Sequence, residues 1–461
     1  MKKFYITTAI DYVNAKPHVG HAYEKILADV VARWKRLNGF KVHFVTGTDE
    51  NAQKNAQAAK EEGIAPKKFV DRNSKYFIDL CRKLKISYDD FIRTTEARHV
   101  KTSQEIFQKV FDKGDIYKGK YQGYYCKGCE AFITEKDLVD GKCPEHNTKP
   151  EFMSEDAYFF KLSKYEKQVL KLLEKGLVIP EAKANEMISR IKEEGLKDLN
   201  VSRCNLDWGI DSPIDKDFKI YVWFDALINY ITASGTKREF WPADCHVIGK
   251  GINWFHSVIW PAMLLSAGIE VPKKVWVHGY LTVDGRKISK SLGNVIDPIE
   301  IAEKYSSDAL RYFLIREIPF ESDGDFSEKA LIDRHNNELA NKLGNLVSRV
   351  SGLIERNGVE KTENKLLKKL KLHEIEKLMD SYQLDKALNE IFAFIDVCNE
   401  YVQEKKPWET KDKKVLFELK ESILEIARLL SCFIPDSAEK ITKQFSAKKI
   451  IKGEILFKKI E

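Results

Sequence analysis

The sequence predicts an α/β protein, a split Rossmann-type parallel sheet interrupted by a cysteine-bearing insertion and followed by an all-α helical bundle. Three observations predict it. Strand-length apolar runs alternate with helix-period segments over the first hundred residues, the alternation resumes after about residue 220, and beyond about residue 331 only helical spacing remains. At roughly 150 residues per domain, the 461 residues allow about three domains. The composition is 43% hydrophobic and 32% charged, as in soluble globular proteins, and no run approaches the roughly 18 apolar residues of a membrane helix. No membrane span is expected. Met1 to Ala9 runs straight into a strand-like stretch, so neither a secretion signal nor a transit peptide is expected, and the expected compartment is the cytoplasm. The net charge of +7 is a small difference between 77 basic and 70 acidic residues, which permits nucleic-acid binding without arguing for it.

Phe4 to Ala9 reads as a buried strand. A loop with Pro17 and Gly20 follows, and Ile26, Leu27, Val30, Val31, Trp34 and Leu37 then recur at helical spacing until Gly39 stops the helix. Lys41 to Thr46 is the next strand. Strand, crossover helix and strand make a right-handed βαβ unit, whose ligand site lies at the carboxyl ends of its strands, near Ala9 to His21 and Thr46 to Asp49. From about Gly119 the texture turns to Gly, Lys, Tyr and Cys, then to Lys- and Glu-rich helix patterns as far as residue 200, an insertion. Tyr221 to Ala226, Cys245 to Gly249 and Val275 to Gly279 are short apolar runs that read as strands of a second half-sheet. Leu339, Leu343, Leu346, Val347 and Val350 open the helical bundle, in which Lys361 to Lys371 reads as a mobile linker or a solvated helix face. The expected domains are 1–115, 116–220 with a knuckle at about 121–155, 221–330 and 331–461.

Two loops carry phosphate chemistry. His18-Val19-Gly20-His21 joins the first strand to the first helix: glycine lets backbone approach a ligand, the helix start offers N–H groups, and two imidazoles can donate to phosphate oxygens. Lys287-Ile288-Ser289-Lys290-Ser291 lies between Gly285 and Gly293, where two lysines can neutralise a polyphosphate leaving group as the loop closes. Of the eight cysteines, Cys126, Cys129 and Cys143 crowd together and are joined by His146. Two close ligand pairs in Gly- and Pro-containing turns suit tetrahedral zinc with no open position, a structural rather than a catalytic site.

In order and spacing the two loops resemble the paired signatures, HIGH and KMSKS, of the class I aminoacyl-tRNA synthetases. With the cysteine knuckle, the helical carboxyl-terminal part and no room for a large editing domain, the whole chain most resembles the methionyl-tRNA synthetase family. The likeness extends to Tyr221-Val222-Trp223-Phe224-Asp225-Ala226, Ile248-Gly249-Lys250, Phe255-His256, Trp260-Pro261-Ala262 and Val277-His278-Gly279-Tyr280-Leu281-Thr282. It implies catalytic roles for His18, His21, Lys287 and Lys290, with Gly20 and Ser289 also binding ATP and Mg2+ accompanying it. It implies a methionine pocket of Ile10, Tyr12, Trp223, Ala226, Tyr230 and His256, with Asp49 near the ammonium group and Arg203 close to the active site. It further implies that Asn341, Asn345, Arg349 and Trp408 meet the tRNA(Met) anticodon. Aromatic rings suit a polarizable thioether, and unstacked bases are read by stacking and hydrogen bonds.

Several positions depart from the family pattern. DEHG stands here as Asp49-Glu50-Asn51-Ala52, and the aspartate usual after the Gly-Lys pair is Gly251, with Asn253 and Asp11 as candidate substitutes. No appended dimerising domain follows, so a monomer is expected. A cysteinyl-type synthetase, in which zinc binds the substrate thiolate, and a catalytically weakened RNA-binding paralogue are the alternative readings.

Overall fold

The computed structural model describes residues 1–129, 131–133, 138–204, 206–288 and 293–460. The chain divides into two compact units whose segments interleave along the sequence. The first comprises Met1–Lys16, Phe40–Asp79 and Tyr88–Val277, the second Pro17–Gly39, Leu80–Ser87 and His278–Glu461.

In the first unit the opening strands are β1 (Lys3–Tyr12), β2 (Lys41–Asp49) and β3 (Asp90–Arg93). The insertion contributes β4 (Ile116–Cys126), β5 (Ala131–Ile133), β6 (Glu151–Phe160), β7 (Val178–Ile179), β8 (Leu199–Asn200), β9 (Ser202–Cys204) and β10 (Phe218–Ile220), and the sheet resumes with β11 (Cys245–Gly249) and β12 (Val275–His278). The six-stranded main sheet runs in the order β3-β2-β1-β11-β12-β7, with β1 parallel to both β2 and β11. Strand order reverses at β1, so the crevice between its neighbours opens at the carboxyl ends of β1, β2 and β11. β1 is buried on nearly its whole length, as a strand covered on both faces must be, which explains why it shows no apolar/polar alternation and buries even Thr7 and Thr8. Trp260, Trp276 and Tyr230 are among the largest fully buried side chains of this unit, each worth roughly 1.5–3 kcal/mol of apolar transfer.

Two expectations need correction. Tyr221 to Ala226 is not a strand: Val222–Leu227 is a short helix, and the neighbouring strand is β10, which pairs antiparallel with β9. A short run that is apolar throughout has no period, and burial on all sides suits a helix as well as a strand. The insertion, read as helical beyond its knuckle, is built on an antiparallel sheet in the order β5-β4-β6-β8, beside helices Glu166–Glu174 and Glu181–Glu194. Its strands escaped notice because the sheet is half solvated: Tyr117 and Phe152 are exposed, and Lys118, Gly119 and Lys120 interrupt any apolar alternation.

The second unit contains helix Val19–Leu37, the three-stranded sheet of β13 (Leu281–Val283), β14 (Arg286–Lys287) and β15 (Gly324–Phe326), and the carboxyl-terminal helices. Helix Val19–Leu37 buries Ala22, Ile26, Val30 and Trp34, carries Lys35 and Arg36 in its last turn, and ends at Asn38 and Gly39, whose φ of +78° suits glycine. The bundle helices are Glu328–Arg334, continuing through a π-helical stretch His335–Gly344 into Asn345–Asn357, then Leu372–Asp380, Leu384–Lys405, Lys413–Leu430 and Pro435–Phe445. The Lys361–Lys371 stretch is a tethered loop rather than a free linker: Lys365 N–H donates to Glu418 Oε1 at 2.8 Å and Leu366 is buried.

Candidate functional site

At the carboxyl end of β1 the register sets Ile10 against Gly47 and Tyr12 against Asp49. A ring wall stands beside them. Trp223 stacks on Phe255 at a centroid distance of 3.7 Å and meets Tyr12 edge-on at 6.4 Å, and Lys54 Nζ lies 3.0 Å from the Tyr12 ring centre. The buried Trp223 indole N–H has no hydrogen-bond acceptor among the described residues, and in a native fold such an orphan donor marks a place where a ligand or water belongs. Behind this wall His256 Nδ1 lies 2.9 Å from the Ile252 carbonyl, which can only accept, so the proton sits on Nδ1. Nε2 of a singly protonated ring then accepts the Tyr230 hydroxyl at 2.7 Å. Ala226 is buried one turn before Tyr230, its carbonyl taking the Asn229 amide at 2.6 Å. The first unit therefore brings together Ile10, Tyr12 and Asp49, joins Trp223 to Tyr12, and joins Tyr230 to His256.

The phosphate-cradle loop belongs to the second unit. His18 is the N-cap of helix Val19–Leu37: its Nδ1 accepts the Gly20 N–H at 3.1 Å, while His21 Nδ1 accepts the His18 N–H at 3.0 Å. This reciprocal box uses imidazoles where Ser and Glu commonly serve. Because both Nδ1 atoms accept, each ring carries its proton on Nε2, the kind of donor phosphate oxygens take. A Cβ at Gly20 would stand 2.9 Å from His18 Cε1, so any side chain there would disturb the cap. The helix-start N–H of Gly20 is thus already bonded to His18, and what the loop offers beyond the backbone is the pair of Nε2–H groups. In the same unit Val19 N–H donates to the Ile296 carbonyl at 3.2 Å, tying the cradle to the segment that follows the lysine loop. Lys287 pairs in register with Thr282 across β14 and β13, and Ser289 and Lys290 lie outside the described residues.

Cys126, Cys129, Cys143 and His146 place one ligand atom each within 4.8 Å of one another. Cys129 Sγ lies 3.4 Å from Cys143 Sγ and 3.2 Å from His146 Nδ1, and Cys143 Sγ lies 3.8 Å from His146 Nδ1. Sulfurs on a zinc tetrahedron with bonds of about 2.3 Å sit about 3.8 Å apart, so these separations, at or a little below that edge, fit a divalent metal after small adjustments. A Cβ at Gly128 would come within 2.5 Å of the His146 ring, which explains glycine in the first turn. Burial opposes ionisation of Cys126, yet the N–H groups of Cys129 and Gly128 and the Cys143 thiol bring its pKa down, while burial and its neighbours push Cys129 up.

In the second unit Asn345, Arg349 and Trp408 line one groove of about 760 Å³. Asn341, one turn before Asn345, is exposed. Trp408 is 41% exposed, with its indole N–H on Glu409 at 3.2 Å.

The family model described as tRNA synthetases class I (M) matches residues 4–149 and 137–351, and the anticodon-binding domain of tRNA ligase matches 365–459. The methionine–tRNA ligase of Caldanaerobacter subterraneus subsp. tengcongensis is 44% identical over 100% of this chain and 79% of its own length. The chain belongs to the class I methionyl-tRNA synthetase family. The Thermotoga maritima methionine–tRNA ligase is 43% identical over 100% of the chain and 80% of its own. The Mycobacterium tuberculosis methionyl-tRNA synthetase, solved in complex with methionyl-adenylate, superposes with a TM-score of 0.92 at 39% identity, covering 96% of this chain and 94% of that one.

Within this synthetase one departure from the family pattern has a local explanation. Asn51 donates through Nδ2 to Asp225 Oδ2 at 2.7 Å and to the Thr94 carbonyl at 3.2 Å, and Asp225 Oδ1 is held by His99 Nε2 at 2.5 Å. All three side chains are buried, so Asn51 is a fitted member of a polar core network. Asn253 Nδ2 donates to the Lys183 carbonyl at 3.2 Å, and its Oδ1 accepts the Ser257 hydroxyl at 2.6 Å. Arg203 is buried between the rings of Tyr125 and Tyr221, at 4.9 and 4.7 Å.

Sequence reasoning missed His246. Trp260 N–H donates to its Nε2 at 3.3 Å, so Nδ1–H donates to Thr7 Oγ1 at 2.8 Å, and its ring packs on Tyr230 at 4.2 Å. Burial, with His256 nearby, holds this imidazole far below the usual histidine range, so it is a neutral support under the Tyr230–His256 pair. A histidine inside an apolar strand was the available signal.

Proposed function

We propose the following roles in methionine–tRNA ligation by this chain. L-methionine binds at the carboxyl end of β1, its ammonium group on Asp49 and its side chain among Ile10, Tyr12, Trp223, Ala226, Tyr230 and His256. The methionine carboxylate attacks the α-phosphate of ATP in line, forming methionyl-adenylate and releasing pyrophosphate. The 2′-OH of the terminal tRNA adenosine then attacks the activated carbonyl. No protein nucleophile is needed; catalysis is positioning and charge stabilisation. His18 and His21 donate from Nε2 to phosphate oxygens with Gly20 and Ser289 at the nucleotide, and Lys287 and Lys290 take the charge of the leaving pyrophosphate. Mg2+ neutralises ATP charge when bound. Asn341, Asn345, Arg349 and Trp408 receive the anticodon of tRNA(Met). The compartment we infer is the cytoplasm and the state a monomer, with domains at 1–115, 116–220, 221–330 and 331–461.

The observation that carries this reading is the wall of polarizable rings formed by Tyr12, Trp223 and Phe255 at the end of β1, where Tyr12 pairs in register with Asp49. Amino-acid-dependent ATP–pyrophosphate exchange with the purified chain tests it. Exchange driven by methionine alone, and lost in Lys290→Ala, is the expected result. Exchange driven by cysteine, or none in folded protein, would refute it. The closely grouped ligand atoms of Cys126, Cys129, Cys143 and His146 support one structural Zn2+, which would link β4 to the turn at residues 143–146. Purified protein is expected to carry one zinc per chain by elemental analysis, and prolonged chelation to lower the melting temperature of the insertion. A Cys143→Ser variant with undiminished zinc would sink that assignment.

A further inference from the structure

The anticodon groove holds more positive charge than the resemblance accounts for. Its lining includes three cations, Arg349, Arg356 and Lys452, against the carboxylate of Glu355. Arg349 makes no hydrogen bond or ion pair among the described residues. Arg356 uses only its Nε, donating to the Gly352 carbonyl at 3.0 Å. The Lys452 ammonium has no partner among the described residues either, because Glu355 Oε2 accepts the backbone N–H of Lys452, at 3.1 Å, instead of its side chain. Other cations of the bundle do find carboxylates, as in Lys342–Asp396 at 2.7 Å and Arg428–Glu425 at 2.6 Å.

Lys452 reaches the groove on the segment that follows helix Pro435–Phe445, and that segment is pinned along its length. Gln444 Nε2 donates to the Ile451 carbonyl at 2.8 Å, Asn336 and Ile460 exchange two hydrogen bonds at 2.8 and 2.9 Å, and Phe457 is buried edge-on to His335. Gly352 provides the passage: a Cβ there would touch Lys452 Cδ at 3.4 Å. A lysine delivered by an anchored backbone loses less freedom when it orders against a ligand than one on a free tail. Unneutralised guanidinium and ammonium groups beside an exposed tryptophan fit a single-stranded RNA loop, phosphates on the cations and bases on the ring.

We propose that the carboxyl-terminal segment completes the RNA groove, with Lys452 and Arg356 forming a sequence-independent phosphate rail beside the base-reading Asn345, Arg349 and Trp408. This rests on the anticodon reading given above. The test measures tRNA(Met) transcript and isolated anticodon stem-loop binding by fluorescence anisotropy across a salt series, for the full wild-type chain, Lys452→Ala, Arg356→Ala and Lys452→Arg, each with its melting temperature recorded. Each alanine variant is expected to lower the slope of log affinity against log salt by about 0.7, the value for one single-strand phosphate contact. Each should weaken binding several-fold at moderate salt, equally for matched and anticodon-substituted stem-loops, and Lys452→Arg should restore slope and affinity. An unchanged slope in both alanine variants that melt like wild type would overturn the rail, as would a loss confined to the matched anticodon. Failure of the wild-type chain to bind either RNA would instead overturn the anticodon reading itself.

Discussion

His21→Asn is expected to lower methionine-dependent ATP–pyrophosphate exchange about 10²–10³-fold, the usual effect of removing one positioned donor to developing charge, while leaving the fold intact. The proposed reading gives the ring two separable functions. Nδ1 accepts the His18 backbone N–H at 3.0 Å, closing the capping box of helix Val19–Leu37, and the proton on Nε2 is, in that reading, the donor for phosphate. Asparagine places its carbonyl oxygen near the Nδ1 position and can keep the cap, but has nothing at Nε2. Glutamine has the converse reach, with an amide N–H near Nε2. His21→Gln should therefore retain more exchange activity than His21→Asn while melting at a lower temperature, by roughly the 1 kcal/mol of a lost cap. Because the phosphate contact strengthens in the transition state, kcat should fall while the KM for methionine barely moves. Equal activity in the two variants, or a defect that tracks melting temperature, would show that His21 acts only as a cap.

What the sequence made legible follows from how local each signal is. The βαβ opening, the stop at Gly39 and the carboxyl-end location of Asp49 and Tyr12 could be read because buried parallel strands and amphipathic helices leave strong periods. The cysteine knuckle was readable because its ligand spacing is itself local. The groove residues Asn345, Arg349 and Trp408 were reached through family resemblance, since nothing in their own helix pattern distinguishes them from a polar face. The half-solvated β4–β6 ladder left no period, and the helix at Val222 was hidden inside a uniformly apolar run. The bond from Asn51 to Asp225 spans 174 positions, and no local pattern encodes such a pairing. Nor could sequence reveal that the imidazole Nδ1 atoms of His18 and His21 are committed to the backbone, because the order of residues does not state a tautomer.

Arg311→Ala is expected to destabilise the second unit by about 3–5 kcal/mol, the range for breaking a buried ion pair and leaving the other charge alone. The Arg311 guanidinium is fully buried and donates to four oxygens: Asp29 at 2.7 Å, and the carbonyls of Leu84 at 3.0 Å, Cys432 at 2.9 Å and Phe433 at 2.8 Å. It thereby ties helix Val19–Leu37, the 80–87 segment and the carboxyl-terminal helices to one another within that unit. Asp29 is equally buried and also takes Arg33 at 2.7 Å and the Ser87 N–H and hydroxyl at 2.7 and 2.6 Å. Burial works against its ionisation, but Arg311 first, then Arg33 and Ser87, hold its carboxyl below the usual aspartate value. A carboxyl with a depressed folded-state pKa contributes stability that is present above its unfolded pKa, near 4, and is lost as pH falls through the folded value. Wild-type stability should therefore decline below about pH 4, and this part of the decline should be absent in the double variant Asp29→Leu/Arg311→Met. That variant should also recover much of the stability lost in Arg311→Ala, because it removes both charges and keeps apolar volume. Urea unfolding at neutral and acid pH for the three chains measures this. An Arg311→Ala midpoint equal to wild type would mean that the four carbonyl and carboxylate contacts do not hold the unit together.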